Sequence, residues 1–274
     1  MSCLLKDILA AGRFLTILPW PGGRRMMTEA EVTRSAAGFV AVGLLQGLLL
    51  VAVEVLAGQL FHPDLALWLV LLALVLVSGG FHLDGLADTF DALAVKAGGD
   101  PQRDRERRLA AMKDSAIGAM GLLAIIFALG FKFFALQSLS HASYAIYYSS
   151  LLLLPAVGKW AMVVAMPRAL PARPDGLGRL FLGAVGRREV IWACISLALP
   201  LLALCLLLPG YLPRYYFLFY PLLPLLIYLG GRAATALCRR RFGGLTGDNL
   251  GALNELAEIL FLFLVLLWLR LSAW

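Results

Sequence analysis

Long apolar runs alternate with short polar connections along most of the chain. The runs at 36–56, 65–77, 117–139, 144–166, 190–208, 215–237 and 256–269 read as about seven membrane-spanning helices, given that roughly 20 apolar residues cross about 30 Å of hydrocarbon. Ahead of them, residues 4–18 set Leu4, Ile8, Ala11, Leu15 and Leu18 at helical spacing, with Lys6, Asp7 and Arg13 between. That pattern predicts an interfacial helix, ended by Pro19, Pro21, Gly22 and Gly23. It is too charged for a signal peptide, and no small-residue cleavage site follows it. The expected fold class is all-α: one polytopic integral membrane bundle with an N-terminal interfacial helix, forming a single catalytic domain over 1–274.

Composition strengthens this picture. A hydrophobic content of 61% and a mean hydropathy of +0.84 exclude an ordinary soluble domain. Cys3, Cys194, Cys205 and Cys238 lack paired spacing, so neither a disulfide framework nor a zinc site is expected. The net charge of +7 is explained by where it sits. Connections 58–64 and 138–143 carry no Lys or Arg, and 209–213 is equally bare with Arg214 just beyond. The other connections hold Lys96, Arg103, Arg105, Arg107, Arg108 and Lys113, then Arg168, Arg173, Arg179, Arg187 and Arg188, then Arg239, Arg240 and Arg241, while Arg24, Arg25 and Arg34 precede the first span. The positive-inside rule then places the N-terminus and all three basic loops in the cytoplasm, with lipid and phosphate-bearing substrates rather than nucleic acid as the partners of the basic charge. Lipid-facing and partner-facing apolar surfaces look alike in sequence, so an oligomer is compatible with the pattern.

Candidate chemistry concentrates on that side. The run 65–77 leads straight into SGGFHLDGLADTFDAL, residues 78–93. As a helix, this stretch brings Asp84, Asp88 and Asp91 within an arc of roughly 60°. Clustered oxygen ligands suit a hard ion such as Mg²⁺ or Mn²⁺, and the competing reading is a solvated amphipathic turn. Gly79, Gly80 and Gly85 favour the first, since they let backbone or substrate approach closely. His82 reads as a ligand, a base or a structural histidine. Further on, Asp114 or Ser115 can cap the helix that follows, leaving free N–H groups beside Lys113 for a phosphate. Asp175 in Pro-Asp-Gly needs no explanation beyond a turn. In GGLTGDNLGALNELAE, Gly243, Gly244 and Gly247 lead into a helix starting near Asp248, where Asp248 and Glu255 share a face that Gly251 keeps open. Lys159 and Arg232 lie near the inner ends of their spans, placed either to snorkel or to reach a phosphate, whereas Glu54 and Lys132 lie toward the opposite side with no function assigned.

FHLDGLADTFDAL, RERRLAAMKDSAIGAMG, PARPDGLG and GGLTGDNLGALNELAE, in this order, resemble the cobalamin synthase family, the adenosylcobinamide-GDP ribazoletransferases. The resemblance covers most of the chain. It implies a Mg²⁺-dependent enzyme that joins adenosylcobinamide-GDP to α-ribazole or its 5′-phosphate, giving adenosylcobalamin or its 5′-phosphate and GMP. On that basis Asp84 and Asp88, with Asp91, are expected to hold the ion, and Asp248 and Glu255 to complete or orient the site. Lys113, with Arg105, Arg108 and Arg173, is expected to stabilise charge on departing GMP, Lys159 to reach the phosphates, and Gly244 and Gly247 to let the loop approach them. An unligated aspartate or His82 is expected to take the proton of the attacking hydroxyl. A CDP-alcohol phosphotransferase fits less well, because Asp88 stands where its arginine would follow DGxxA. A cation-coupled transporter would carry acids near the midplane and inverted repeats, which the sequence lacks.

Overall fold

The computed structural model describes residues 3–22, 25–211 and 216–272. Gly23, Arg24, Arg214 and Tyr215 therefore lie outside the described residues. The helices are α1 (Cys3–Leu15), α2 (Glu29–Ser35), α3 (Phe39–Leu60), α4 (Pro63–Val77), α5 (Phe81–Ala94), α6 (Pro101–Ala111), α7 (Ala119–Ser140), α8 (Tyr144–Ala165), α9 (Arg187–Leu207), α10 (Tyr216–Phe242) and α11 (Gly247–Ser272). No strand forms among the described residues. Among the described residues six helical stretches are long and apolar enough to cross a membrane, and α4 with α5, bent by 85°, brings the number to seven if the pair is one broken span. The protein is a multi-pass, all-α membrane protein.

That bend corrects the expectation that the second span runs straight into the aspartates. At 15 residues α4 is only about 22 Å long, too short to cross alone. The chain turns at Gly79 (φ 63) and Gly80 (φ 74), left-handed conformations open to glycine at little steric cost. The two glycines thus act as a hinge that aims α5 away from the axis of α4.

The centre of the bundle is α8, buried along most of its length. It packs antiparallel to α3 at contact distance: a Cβ on Gly43 would stand 2.6 Å from Ala156 Cα, and one on Gly47 would stand 2.0 Å from the Leu152 carbonyl oxygen. Glycines at such a crossing let backbones approach where apolar burial gives no advantage over lipid. α11 packs against α5, α7 and α8, and α9 and α10 are peripheral. α1 is tied down as well as amphipathic: a Cβ on Gly38 would lie 2.6 Å from Ile8 Cα, and buried Asp7 pairs with Arg188 at 2.5 Å. The three basic loops and the N-terminal region gather at one end of the bundle, linked by Thr33 to the Leu180 carbonyl, Lys113 to Asp175 and Arg108 to the Arg241 carbonyl.

Candidate active site

Two glycines bring the acidic helices together. A Cβ on Gly85 would meet the Asp248 carbonyl oxygen at 2.7 Å, and one on Gly251 would meet His82 Cα at 3.3 Å. Neither helix could approach so closely with side chains at these positions. Thr89 accepts a hydrogen bond from buried Asn249 at 3.0 Å and fixes the register of the crossing. As a result the half-buried Asp88 faces the charges of Asp84, Asp248 and Asp91, with Arg173 as the opposing cation.

The start of α11 is built as carefully. Thr246 Oγ1 accepts from Asn249 N–H at 3.1 Å, and Asn249 Oδ1 accepts from Thr246 N–H at 3.0 Å, a reciprocal cap. The loop ahead of it pairs with residues 170–172: Ala172 N–H donates to the Leu245 carbonyl and Leu245 N–H to the Leu170 carbonyl, both at 2.8 Å. Gly244 permits this, because a Cβ there would lie 2.4 Å from the Leu170 carbonyl oxygen. The pairing carries Arg173 to Asp248, Nη2 to Oδ2 at 3.0 Å. Arg173 Nη1 is buried without a partner, so one face of the guanidinium is left for an anion. Asp175 bonds to Lys113 at 2.6 Å and lies 3.9 Å from Arg173 Nε; the lysine bond holds its carboxyl below the usual range.

Asp84, Arg173, Asp175 and Asp248 line one cavity of about 540 Å³, whereas Asp88 and Lys113 are not part of its lining. Asp84 and Asp248 form its acidic side with His82 beside them, and Arg13, Arg173 and Arg179 its basic side. Phe14, Phe39, Met162 and Phe181 supply an apolar wall. Such a cavity suits an anionic group next to a bulky apolar one.

Other expected site residues are placed elsewhere. Asp91 takes the N-terminus of α7, accepting from Gly118 N–H at 2.7 Å and Gly121 N–H at 2.8 Å. This corrects the capping expectation: Asp114 only closes a turn to Ala116 N–H at 3.0 Å, and the amides expected beside Lys113 are satisfied by Asp91. Glu255 is turned away from the cavity and bonds to Lys132 at 2.6 Å in a buried cluster, so Lys132 is not remote from the acidic helices as its position suggested. Lys159 is 1% exposed and donates to Asn254 at 3.0 Å; it neither snorkels nor lines the cavity. Arg108 is buried against the Arg241 carbonyl, Arg105 lies against Gly243, and neither lines the cavity. Gly247 does line it. Sequence reasoning missed Thr246, Asn249 and Asn254; T-x-x-N ahead of an apolar run was the available signal for the first two.

Comparison with known proteins decides the family. A family model described as cobalamin-5-phosphate synthase matches residues 7–266. The chain belongs to the cobalamin-5-phosphate synthase family. Members similar to it include the adenosylcobinamide-GDP ribazoletransferases of Thermodesulfovibrio yellowstonii, 33% identical with 96% of this chain and 97% of the relative covered, and of Syntrophobacter fumaroxidans, 39% identical with 91% and 93% covered. That of Klebsiella pneumoniae (strain 342) is 37% identical, with 96% and 100% covered. No solved structure matches the chain significantly.

Proposed function

We propose that this chain is itself an adenosylcobinamide-GDP ribazoletransferase. It would join adenosylcobinamide-GDP to α-ribazole or its 5′-phosphate and release GMP, late in nucleotide-loop assembly. The supporting observation is that Asp84, Asp248 and Arg173, whose Nη1 has no partner, line one cavity, with Asp88 facing their charge from α5, in a chain that matches the family over residues 7–266. In the reaction a ribazole hydroxyl oxygen bonds to the phosphorus retained by the corrinoid, the P–O bond to GMP breaks, and the hydroxyl proton leaves.

Among the described residues no three His, Cys, Asp or Glu side chains converge closely enough to hold an ion unaided. Mg²⁺ does not require that, because it keeps several waters and binds through one or two carboxylates together with substrate phosphates. The donors fit that mode: carboxylates from two helices repel one another, with Arg173 as the neighbouring cation. One or two of Asp84, Asp88 and Asp248 would hold Mg²⁺ or Mn²⁺ together with the substrate phosphates, and the ion would neutralise diphosphate charge. Arg173 binds a phosphate oxygen through Nη1, and Lys113 holds the loop of Arg173 through Asp175. His82, at the cavity wall, or a free aspartate takes the proton. The apolar wall would lie against one edge of the corrinoid and exclude water there. The basic loops support placing this end of the bundle, and the N-terminus, on the cytoplasmic side of the inner membrane. The test is GMP release from adenosylcobinamide-GDP by the purified protein. Release dependent on both ribazole and divalent ion is expected, and release without ribazole would overturn the assignment.

A further inference from the structure

Beneath the cavity lies a second cluster of charge. Lys132 of α7 and Lys159 of α8 are each 1% exposed, Glu258 of α11 is fully buried and Glu255 is 5% exposed. Lys132 Nζ donates to Glu255 at 2.6 Å and to Glu258 at 2.5 Å. Lys159 Nζ donates to Asn254 Oδ1 at 3.0 Å, and Asn254 Nδ2 donates to Glu258 Oε1 at 2.9 Å. The two lysines and two glutamates balance in charge, and none of their polar atoms is among the buried groups left without a partner. α8 makes room at Gly158, where a Cβ would lie 2.5 Å from Asn254 Oδ1 and 2.8 Å from Glu258 Oε1. His82 lines both the cavity and the small void beside the cluster.

Burying four charges gives little net stability over a well-packed apolar core, but it specifies register strongly. An apolar face would still pack after a slide of one residue, whereas here the helix would move about 1.5 Å and turn about 100°, breaking the bonds of Lys132. α11 is the element at stake. Glu255 and Glu258 lie two to three turns beyond Asp248 on the same helix, and Asp248 meets Asp84 and Asp88 only through the crossing at Gly85 and Gly251.

We propose that Lys132, Glu255, Glu258 and Lys159 form a positioning cluster that locks α11 onto α7 and α8 in the register that sets Asp248 against α5. These are positioning residues and do not touch substrate. The inference rests on the cavity being the reaction site, so its test needs a readout that does not depend on activity.

Thr89 and Asn249 supply one, since their side chains meet at 3.0 Å. In a full-length protein freed of its four native cysteines, T89C/N249C reports the α5–α11 crossing by its rate of oxidative crosslinking. Into this background, and separately into the native sequence for kinetics, go K132E alone, K132E/E258K, and the neutral set K132M/K159M/E255Q/E258Q. In the neutral set, crosslinking is expected to slow at least tenfold. Its kcat should fall on the order of a hundredfold with KM for the nucleotide substrate within threefold, as expected for misplacement by about 1 Å. K132E/E258K should recover crosslinking and kcat at least tenfold over K132E, which keeps the proposal testable if the neutral set fails to fold. Unchanged crosslinking and kcat in the neutral set, or no recovery in the reversed pair, would overturn the proposal. Cluster-dependent crosslinking in a protein whose parent releases no GMP would uphold the positioning role and remove the transferase reading instead.

Discussion

Adding one methyl group at Gly85 tests whether the crossing of α5 and α11 sets the site. A Cβ there would stand 2.7 Å from the Asp248 carbonyl oxygen and 3.0 Å from its Cα, both backbone atoms that cannot rotate aside. Restoring contact to 3.4 Å requires the helices to part by about 0.7 Å, at an overpacking cost of about 1–3 kcal/mol. Alanine's better helix propensity offsets about 1 kcal/mol of this, so Gly85→Ala should lower stability by no more than about 2 kcal/mol and leave the protein folded. Catalysis should suffer more. Separating Asp248 from Asp84 and Asp88 by most of an ångström is expected to reduce kcat by roughly 10–100-fold. Gly130→Ala is the control, since nothing lies within 4 Å of its Cβ position. It should leave turnover unchanged and raise stability by up to about 1 kcal/mol. The measurement pairs thermal unfolding with steady-state GMP release for both variants. Full kcat in Gly85→Ala would refute the idea that this close approach positions the acids.

Asp91→Ala should lower stability by roughly 1–2 kcal/mol through loss of the α7 cap, seen by thermal unfolding, with a smaller effect on turnover than Asp88→Asn. Arg173→Lys loses the planar fork, so KM for adenosylcobinamide-GDP should rise at least tenfold; an unchanged KM would show that Nη1 meets no phosphate. Chelation of divalent ions should abolish GMP release and added Mg²⁺ restore it, whereas turnover that persists in chelator would exclude the ion. The Gly98 N–H bond, with Arg107 beside it, holds the Asp104 carboxyl below its ordinary value of 3.8. Its contribution is therefore complete above about 3.8 and lost as pH falls through the lower folded value, so hydrogen exchange at Gly98 should accelerate there and not near neutrality.

How far the sequence disclosed this arrangement depended on the range of each interaction. Apolar run length located the crossings, and loop charge separated the two ends of the bundle, because both are local properties. Helical spacing likewise put Asp84 and Asp88 on one face, and Gly85 was legible as a site of close approach, whereas Gly251 read only as keeping an acidic face open. Periodicity could not reveal that Gly79 and Gly80 turn α5 through 85°, since glycines at a hinge and at a contact look the same in sequence. Nor could it show the partners of the remaining acids. Asp91 serves amides 27 and 30 residues away, and Glu255 meets a lysine 123 residues away, so a shared helical face with Asp248 did not bring it to the cavity. Those pairings exist only once α5, α7 and α11 have packed.

The proposed reaction requires carboxylates from α5 and α11 to act together on one diphosphate. The most direct measurement is the double-mutant cycle of Asp88→Asn and Asp248→Asn on GMP release from adenosylcobinamide-GDP at saturating ribazole and Mg²⁺. Each single variant should lose at least 100-fold in kcat, with the double variant little worse than either, because the two groups serve one site. Single variants close to full activity, or losses that simply multiply in the double variant, would contradict it.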